Sequence, residues 1–463
     1  MLPLARGANP ALLFGLGFLL WLLNHPYQGI WHDARVYGLL AAHWLNPGAY
    51  AGDLFFRFGS QGTFSVFTPL YGELVRWFGL SQAAWWVVLG GGLLWIGACL
   101  GLARTVLGDG FAARFAVMLG AVVVVSYSPN GGTFMLGENF ATARSWAIPL
   151  GLGSVAALAA QRQGWSLGLS LAALSLHPLH GVWPLALWVL VRLRAPLAIC
   201  LALMPPVVMV LLGATNSDLP HFRLMTDKWI EFAWESASDI AFKAPLQSRL
   251  PQYSIVLIIL WLGARTGSEK WRALYLRSLM LGLGGLGLAL LASYWLPVEI
   301  VVQGQPWRVM ALLLPLAAVA MLDLAQRAWQ SSAAGRLLVA FVAVLASMNS
   351  HYLPVALCGI GAASLMLVPF FESALVLGLL SFVFGLGIGC GQPLINMLMF
   401  SSAAKGRSGE ALGLKMTVNN ITKVASPMAF GVIASAFGLP PIFWLNAVIL
   451  WAGGVLGRPA KER

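Results

Sequence analysis

The chain has 463 residues, of which 59% are hydrophobic and only 10% are charged, and its formal net charge is +12. Soluble domains contain about 25% charged residues, so this composition, with a mean hydropathy of +0.79, excludes an ordinary soluble protein and predicts an integral membrane protein. The basic residues fall mainly in short loops, where the positive-inside rule accounts for them. Nucleic acid is therefore not an expected partner.

Apolar stretches long enough to cross a bilayer recur along the whole chain. A transmembrane helix needs about 20 mostly apolar residues, and we count about 11 to 13 such stretches. We predict an all-α, polytopic transmembrane fold with long external loops. The first stretch has the basic start and apolar core of a signal peptide, but it lacks a small-x-small cleavage site. We expect it to remain as the first helix.

Two further features of the apolar stretches carry structural expectations. The segment VVLGGGLLWIGACLGLA is rich in glycine, which favours close packing of helices. All four cysteines lie in apolar runs without metal-ligand spacing, which indicates small buried hydrophobic residues rather than disulfides or a metal site. These cysteines are Cys99, Cys200, Cys358 and Cys390.

The distribution of charge predicts which side of the membrane each loop occupies. Clusters of Arg and Lys lie at 104–114, 162, 192–194, 265–277, 327–336, 405–407 and 458–463. We place these clusters, and the N-terminus, in the cytoplasm of a bacterial-type inner membrane. Most acidic residues and all seven histidines lie in the segments between the clusters. Polar chemistry is therefore expected on the opposite, periplasmic face.

Three long external loops are predicted, at residues 25–81, 129–146 and 214–252. The first contains FSVFTPLYGELVRWFGL, which is amphipathic and too charged to span, so we expect a helix lying in the membrane interface. The loop at 214–252 should form one or two helices. Loops of this length are usually functional or disordered, and the aromatic content of these loops indicates order.

The first loop begins with GIWHDARVYGLL, which supplies the candidate catalytic residue. Asp33 is expected at the outer end of the first helix. There a carboxylate can act as a general base towards a hydroxyl group or hold a divalent cation. The alternative is an interfacial ion pair between Asp33 and Arg35. The second loop adds Glu138 and Arg144, as a substrate contact or as an ordinary salt bridge.

Two further segments supply candidate binding residues. In LSLHPLHGVWPL, a proline and a glycine break an apolar run, and His177 and His180 could share one face; they would contact phosphate or metal, or else cap a tight turn. In VEIVVQGQPWRVMALLL, Gln303, Gln305 and Arg308 lie at the mouth of the next helix. The planar fork of arginine suits phosphate, although an interfacial Arg beside a Trp is the alternative.

Residues 1–350 resemble the GT-C membrane glycosyltransferases in having an Asp near the outer end of the first helix, a long first external loop and many spans. The resemblance implies transfer of a sugar from a polyprenyl-phosphate donor on the outer face, with Asp33 as catalytic base or metal contact. The sequence reads HDAR where that family has a second carboxylate. A divalent cation therefore stays an open alternative, and no metal ligand is assigned.

Residues 355–463 resemble the end of a major facilitator superfamily transporter. The resemblance is carried by a glycine-rich helix ending in Gln-Pro, by GRSGEALGL and by the following TVNN helix. The positive-inside count leaves residues 405–407 outside, whereas the transporter pattern puts them inside. We infer a join near residue 350, with 351–463 as a separate group of helices from a gene fusion or a truncated gene.

We predict an outward-facing, GT-C-like transferase. Asp33 would be the base, and the other candidates would contact substrate around a lipid phosphate: Arg35, Glu138, Arg144, His177, His180, Gln305 and Arg308. The alternatives are a secondary transporter related to the major facilitator superfamily, and a non-catalytic membrane protein or inactive fusion. Few charges lie at mid-membrane depth, where a transport path is usually marked by them.

Overall fold

The structure is a computed structural model, and it describes residues 9–57, 61–129, 134–215, 222–236, 246–332, 336, 361–374, 376–385 and 408–456. The described residues form helices and no strand, with two isolated bridges, at Ser126–Met135 and Leu224–Val298. The all-α prediction is confirmed for this part of the chain. Three described helical segments are long and apolar enough to cross a membrane: Leu80–Leu107, Glu269–Tyr294 and Glu299–Ser331.

The chain divides into two compact units, Met1–Arg327 and Ala328–Arg463. The described helices of the first unit are α1 (Pro10–Asn24), α2 (Asp33–Leu45), α3 (Leu54–Arg57), α4 (Phe67–Phe78), α5 (Leu80–Leu107), α6 (Phe111–Val122), α7 (Arg144–Ala159), α8 (Gln163–Leu176), α9 (Pro178–Arg192), α10 (Ala195–Thr215), α11 (Asp227–Ser236), α12 (Leu246–Thr266), α13 (Glu269–Tyr294), α14 (Glu299–Gly304) and α15 (Met310–Ser331). Helix α15 runs a few residues past Arg327. Short 3-10 turns lie at Pro47–Tyr50, Gln61–Phe64 and Pro306–Val309.

The second unit contains helical segments at Gly361–Phe370, Val376–Gly385, Ser408–Phe437 and Pro440–Leu456. The join predicted near residue 350 lies outside the described residues. So do residues 386–407, which carry the Gln-Pro and Lys-Gly-Arg parts of the transporter pattern. The resemblance of 355–463 to a transporter therefore stays a prediction.

Glycine residues of α5 allow α1 and α7 to pack closely against it, as expected for the glycine-rich segment. A Cβ added to Gly92 would lie 2.3 Å from the ring of Trp21 on α1, and one added to Gly91 would lie 2.7 Å from the carbonyl oxygen of Ser145 on α7. Trp21 is buried. The absence of side chains at these two positions therefore sets the separation of three helices.

The segment 25–81, which was predicted as an external loop, contains helices α2, α3 and α4, packed around buried aromatic residues. Phe67 and Tyr71 of α4 are buried, whereas Leu70 and Trp77 of the same helix are exposed. Helix α4 therefore has one face against the protein and leaves apolar side chains on the other, as an interfacial helix requires. Gly79, with φ of +76°, makes the turn from α4 into α5.

Asp33 does not lie at the end of the first helix, as the sequence analysis expected. Helix α1 ends at Asn24, and Asp33 is the first residue of α2. Pro26 and Gly29 follow the end of α1, and Gly29 has φ of +76°; neither residue favours continuation of a helix. The extended segment between α1 and α2 separates Asp33 from the apolar helix and brings it to Arg144, the first residue of α7.

Candidate functional site: two buried arginines beside Phe134

Arg144 is buried at the start of α7 and contacts two carboxylates. Its Nη2 lies 2.8 Å from Oδ2 of Asp33, and its Nε donates to Oε1 of Glu138 at 2.8 Å. Only 4% of the Arg144 side chain is exposed. The contact with Asp33 is an ion pair without an aligned hydrogen bond, so Nη2 keeps unused donor capacity. The ordinary salt bridge between Glu138 and Arg144 is therefore present, and Asp33 joins it.

The two carboxylates around Arg144 differ in their protonation behaviour. Burial raises the pKa of Asp33, but the adjacent Arg144 guanidinium more than offsets this, so the pKa lies below its usual value. The pKa of Glu138 lies above its usual value because burial penalises its charge more than Arg144 stabilises it. The hydroxyl of Thr142 donates to Glu138 Oε2. Asp33 is therefore the carboxylate that holds its charge more firmly.

Arg308 is the second buried guanidinium, and its partners carry no charge. Its Nε donates to Oε1 of Gln305 at 2.7 Å, and its Nη1 lies 2.8 Å from Nε2 of His180. Because a guanidinium can only donate, His180 Nε2 must accept and is unprotonated. Arg308 is only 5% exposed. Within the described part of the chain, it forms no ion pair with a carboxylate.

Phe134 joins the two arginines into one cluster. The guanidinium carbon of Arg144 lies 4.6 Å from the centroid of the Phe134 ring, and that of Arg308 lies 4.7 Å from it. Both distances are within the range of cation–π attraction. The Phe134 ring therefore contacts two guanidinium groups. That of Arg144 is paired with carboxylates, whereas that of Arg308 is paired with no carboxylate among the described residues.

Tyr127 and the pair of histidines complete the cluster on the Arg308 side. The Tyr127 hydroxyl lies 3.2 Å from Nε2 of His180, and the Tyr127 carbonyl accepts a hydrogen bond of 2.6 Å from the Tyr253 hydroxyl on α12. The rings of His177 and His180 lie 4.7 Å apart. Because His177 precedes α9 and His180 lies in its first turn, the break between α8 and α9 brings both rings to this end of the molecule.

The structure therefore gathers seven of the eight candidates from the sequence, with His177 joined through its contact with His180: Asp33, Glu138, Arg144, His177, His180, Gln305 and Arg308. Arg35 does not join them, because its side chain is exposed on α2. Sequence reasoning missed His32, Tyr127, Phe134, Thr142 and Tyr253. The aromatic content of the loop at 129–146 was the one sequence signal that pointed towards Phe134.

The residue before Asp33 has an unusual backbone. His32 has φ of 47° and ψ of −126°, a region in which side-chain-bearing residues are rare. Such strain costs on the order of 1–3 kcal/mol and tends to persist at functional sites. The Nδ1 atom of His32 lies 2.9 Å from Oδ1 of Asp33.

An open apolar groove of about 850 Å³ lies near the cluster, between α5, α6, α7, α12 and α15. Gln252 is the one polar side chain in its lining, which otherwise includes Leu136, Leu152 and Leu314. Trp95 lines this groove and also lines the small hollow that is bordered by Glu138 and Arg144. An apolar channel and a charged cluster are therefore neighbours, with Trp95 between them.

The residues of the cluster fit an anion better than a cation. Both carboxylates already face Arg144, and a second guanidinium lies beside them. No group of three or more His, Cys, Asp or Glu residues in the described ranges could hold a metal ion. The divalent cation left open by the resemblance to GT-C enzymes does not fit this set of side chains.

No protein-family profile, curated protein or solved structure matches the chain. The two family resemblances read from the sequence therefore stay predictions.

Proposed function

We propose that this protein is a multi-pass inner-membrane transferase that moves a sugar from a polyprenyl-phosphate donor on the periplasmic face. The N-terminus is cytoplasmic in this proposal, and the cluster around Phe134 faces the periplasm. The chemistry takes place at that cluster, where a sugar is bonded to a lipid phosphate and is passed to a hydroxyl acceptor.

The observation that carries this proposal is the buried charge of Arg308. An unpaired buried charge is expensive, and among the described residues the hydrogen-bonding partners of Arg308 are Gln305 and a neutral His180. An anion beside Arg308 would offset that cost. Arginine forms bidentate hydrogen bonds to phosphate, and Arg144 has unused donor capacity nearby. A phosphate group is therefore the ligand whose chemistry matches the cluster best.

The apolar groove supports a lipid rather than a water-soluble phosphate. A ligand with a charged head and a long hydrocarbon chain would place its head at the arginines and its chain in the groove past Trp95. Burial of apolar chain contributes about 0.8 kcal/mol per CH₂.

In this proposal, the arginines and Asp33 have different roles in sugar transfer. Arg308 and Arg144 stabilise the negative charge that develops on the departing lipid phosphate. The Asp33 end lies at the start of α2 with 28% of the side chain exposed, so an acceptor can approach it. The proton of the acceptor hydroxyl is taken up at this end.

The release of free polyprenyl phosphate tests the proposal without knowledge of the acceptor. Purified protein in nanodiscs is incubated with a panel of polyprenyl-phosphate sugars, with and without periplasmic glycan fragments, and the freed lipid phosphate is measured by mass spectrometry. We expect turnover of at least one donor by the wild type and a loss of at least about 100-fold in Arg308→Gln, because one oxyanion donor contributes about that much.

Arg76→Gln is the matched control. Arg76 is an exposed arginine of α4 that pairs with Glu73, so this variant loses the same charge without touching the cluster, and it should turn over the donor normally. Release of lipid phosphate by Arg308→Gln at the wild-type rate, or by no protein above background, would remove the transferase proposal.

A further inference from the structure

The apolar groove and the arginine cluster share one short segment of the chain. Phe134 contacts both guanidinium groups, and Leu136 lines the groove. Because an extended chain advances at most about 3.6 Å per residue, the Cα atoms of these two residues lie within about 7 Å of each other. The amide of Leu136 also donates to the carbonyl of Val125 at 2.9 Å, and Val125 lines the groove as well. The groove therefore begins beside the arginines.

Helix α12 contributes Gln252 to the wall of the groove. The Gln252 side chain is half-buried, and its Oε1 accepts a hydrogen bond of 2.6 Å from Nη1 of Arg249 on the same helix. The next residue, Tyr253, donates from its hydroxyl to the carbonyl of Tyr127 at 2.6 Å. The Tyr127 amide in turn donates to the Phe134 carbonyl at 3.0 Å. Gln252 therefore lies at the end of the groove that is beside the arginines.

The amide nitrogen of Gln252 is the group left for a ligand. A side-chain amide has one acceptor oxygen and two N–H donors. Because a guanidinium can only donate, the oxygen must face Arg249. Nε2 donates to none of the residues that the structure describes. The groove therefore has one oriented hydrogen-bond donor in an otherwise apolar lining.

This donor distinguishes two classes of lipid. A polyprenyl chain is hydrocarbon and offers Nε2 no acceptor. A glycerophospholipid has ester carbonyl groups only a few bonds from its phosphate, where its acyl chains begin. The order of phosphate, carbonyl and hydrocarbon along this lipid matches the order of Arg308, Gln252 and the apolar lining.

The charge near the groove favours a lipid that is anionic overall. Arg249 and Arg308 hydrogen-bond to glutamine side chains, and within the described ranges neither forms an ion pair with a carboxylate. Two guanidinium groups without a carboxylate partner attract negative charge, and arginine forms strong hydrogen bonds to phosphate. A zwitterionic headgroup would bring a second positive charge to this end of the groove.

We propose that the groove also binds an anionic glycerophospholipid, with its phosphate at Arg308, an ester carbonyl at Gln252 Nε2 and an acyl chain along the apolar lining. The inference rests on the phosphate site of the proposed function but needs no transfer reaction. Both lipids use Arg308 and the groove, so they exclude each other. Anionic lipid of the surrounding membrane therefore competes with the sugar donor and raises the donor concentration that the protein needs.

The carbonyl can be removed from the lipid without any change to the protein. The full chain is delipidated in detergent and given equal amounts of diacyl phosphatidylglycerol and its dialkyl ether analogue, which lacks both carbonyls. Bound lipid is then measured by native mass spectrometry. We expect the wild type to retain the diacyl form about two- to tenfold more strongly, the range for one neutral hydrogen bond. Equal binding of the two forms overturns the inference.

Two substitutions test whether Gln252 is the source of this preference. Gln252→Leu removes the amide, whereas Gln252→Glu keeps an oxygen for Arg249 but has no N–H donor. Either variant should bind the diacyl and ether forms equally. Gln82→Leu is the matched control, because Gln82 is exposed on α5 and outside the groove lining, and it should keep the wild-type preference. A diacyl preference that persists in either Gln252 variant contradicts the assignment.

Competition and turnover separate this inference from the proposed function. Added polyprenyl monophosphate should displace phosphatidylglycerol from the wild type, whereas a complex that holds both lipids at once overturns the shared groove. Release of lipid phosphate from a sugar donor, without a diacyl preference, removes the glycerophospholipid and leaves the transferase proposal intact. A diacyl preference without turnover of any donor does the reverse.

Discussion

Arg144 and Arg308 are both buried against the same phenyl ring, yet their surroundings differ in charge. Arg144 is balanced by Asp33 and Glu138, whereas Arg308 contacts an amide and a neutral imidazole. A buried ion pair is close to break-even for stability, but a buried charge without a counter-charge is costly. This asymmetry favours an anion beside Arg308, with Arg144 on the same phenyl ring as a second positive group.

Glu138 gives a prediction about stability and pH. Its pKa is raised in the folded protein by burial, so the folded state binds its proton more tightly than the unfolded state does. Its stabilising contribution is therefore present below the usual carboxyl pKa of about 4.3 and is lost as the pH rises. Glu138→Gln cannot ionise, so it should gain stability relative to the wild type as the pH rises. We expect the difference between its melting temperature and that of the wild type to increase by a few degrees from pH 5 to 8.

Asp33→Asn is the matched control for this measurement. Because the pKa of Asp33 is lowered, mainly by Arg144 acting against burial, its contribution is lost only when the pH falls below the usual carboxyl range. The difference in melting temperature between the wild type and Asp33→Asn should therefore stay constant from pH 5 to 8. A Glu138→Gln difference that shrinks over that range would contradict the assignment of a raised pKa.

Part of this cluster could be predicted from the sequence. Ionisable residues are costly in an apolar chain, and this cost, with the resemblance to GT-C enzymes, the helix break before His180 and the affinity of arginine for phosphate, pointed to Asp33, Glu138, Arg144, His180 and Arg308. The contact of Phe134 with Arg308 joins residues that are far apart in the chain, so no local pattern reports it. The positive φ of His32 could not be predicted either, because such a conformation is usually indicated by a glycine in the sequence, and this position has a histidine.

At the scale of the helices, α5 determines how closely its neighbours approach. Its glycines were expected to permit close packing, and Gly91 and Gly92 do so against α7 and α1. The sequence could not indicate which glycines matter, because that depends on which face each neighbouring helix covers. Similarly, Asp33 was assigned to the wrong helix because the extended segment after α1 is short and carries its own turn.

Gly92→Ala and Gly101→Ala test this packing with the same substitution in one helix. A Cβ at Gly92 would lie 2.3 Å from the Trp21 ring, whereas one at Gly101 would meet the Cβ of Ala156 at 3.6 Å, an ordinary contact. We expect Gly92→Ala to destabilise the protein by about 1–3 kcal/mol and Gly101→Ala to be neutral or stabilising by up to about 1 kcal/mol.

The thermal stability of the two variants in detergent provides the measurement. If Gly92→Ala melts at the same temperature as Gly101→Ala, then α1 does not pack against α5 as closely as described.

At the scale of the first unit, three connections between helices carry most residues of the cluster. The loop between α6 and α7 carries Tyr127, Phe134 and Glu138, the break between α8 and α9 carries the histidines, and the turn before α15 carries Arg308. Basic residues lie in or close to the intervening turns: Arg104 near the end of α5, Arg162 between α7 and α8, and Arg265 near the end of α12.

The central claim is that Arg308, which forms no ion pair with any carboxylate in the described ranges, binds the phosphate of a lipid. The most direct measurement is native mass spectrometry of the protein in nanodiscs with a polyprenyl monophosphate and, separately, with the corresponding polyprenol. We predict that the wild type and Arg76→Gln retain the phosphate lipid over the polyprenol, and that Arg308→Gln binds it at least about tenfold more weakly, since a hydrogen bond to a charged group contributes about 1.5–3 kcal/mol. Equal binding of the phosphate lipid by the wild type and Arg308→Gln, or equal binding of lipid with and without phosphate by the wild type, would contradict the claim.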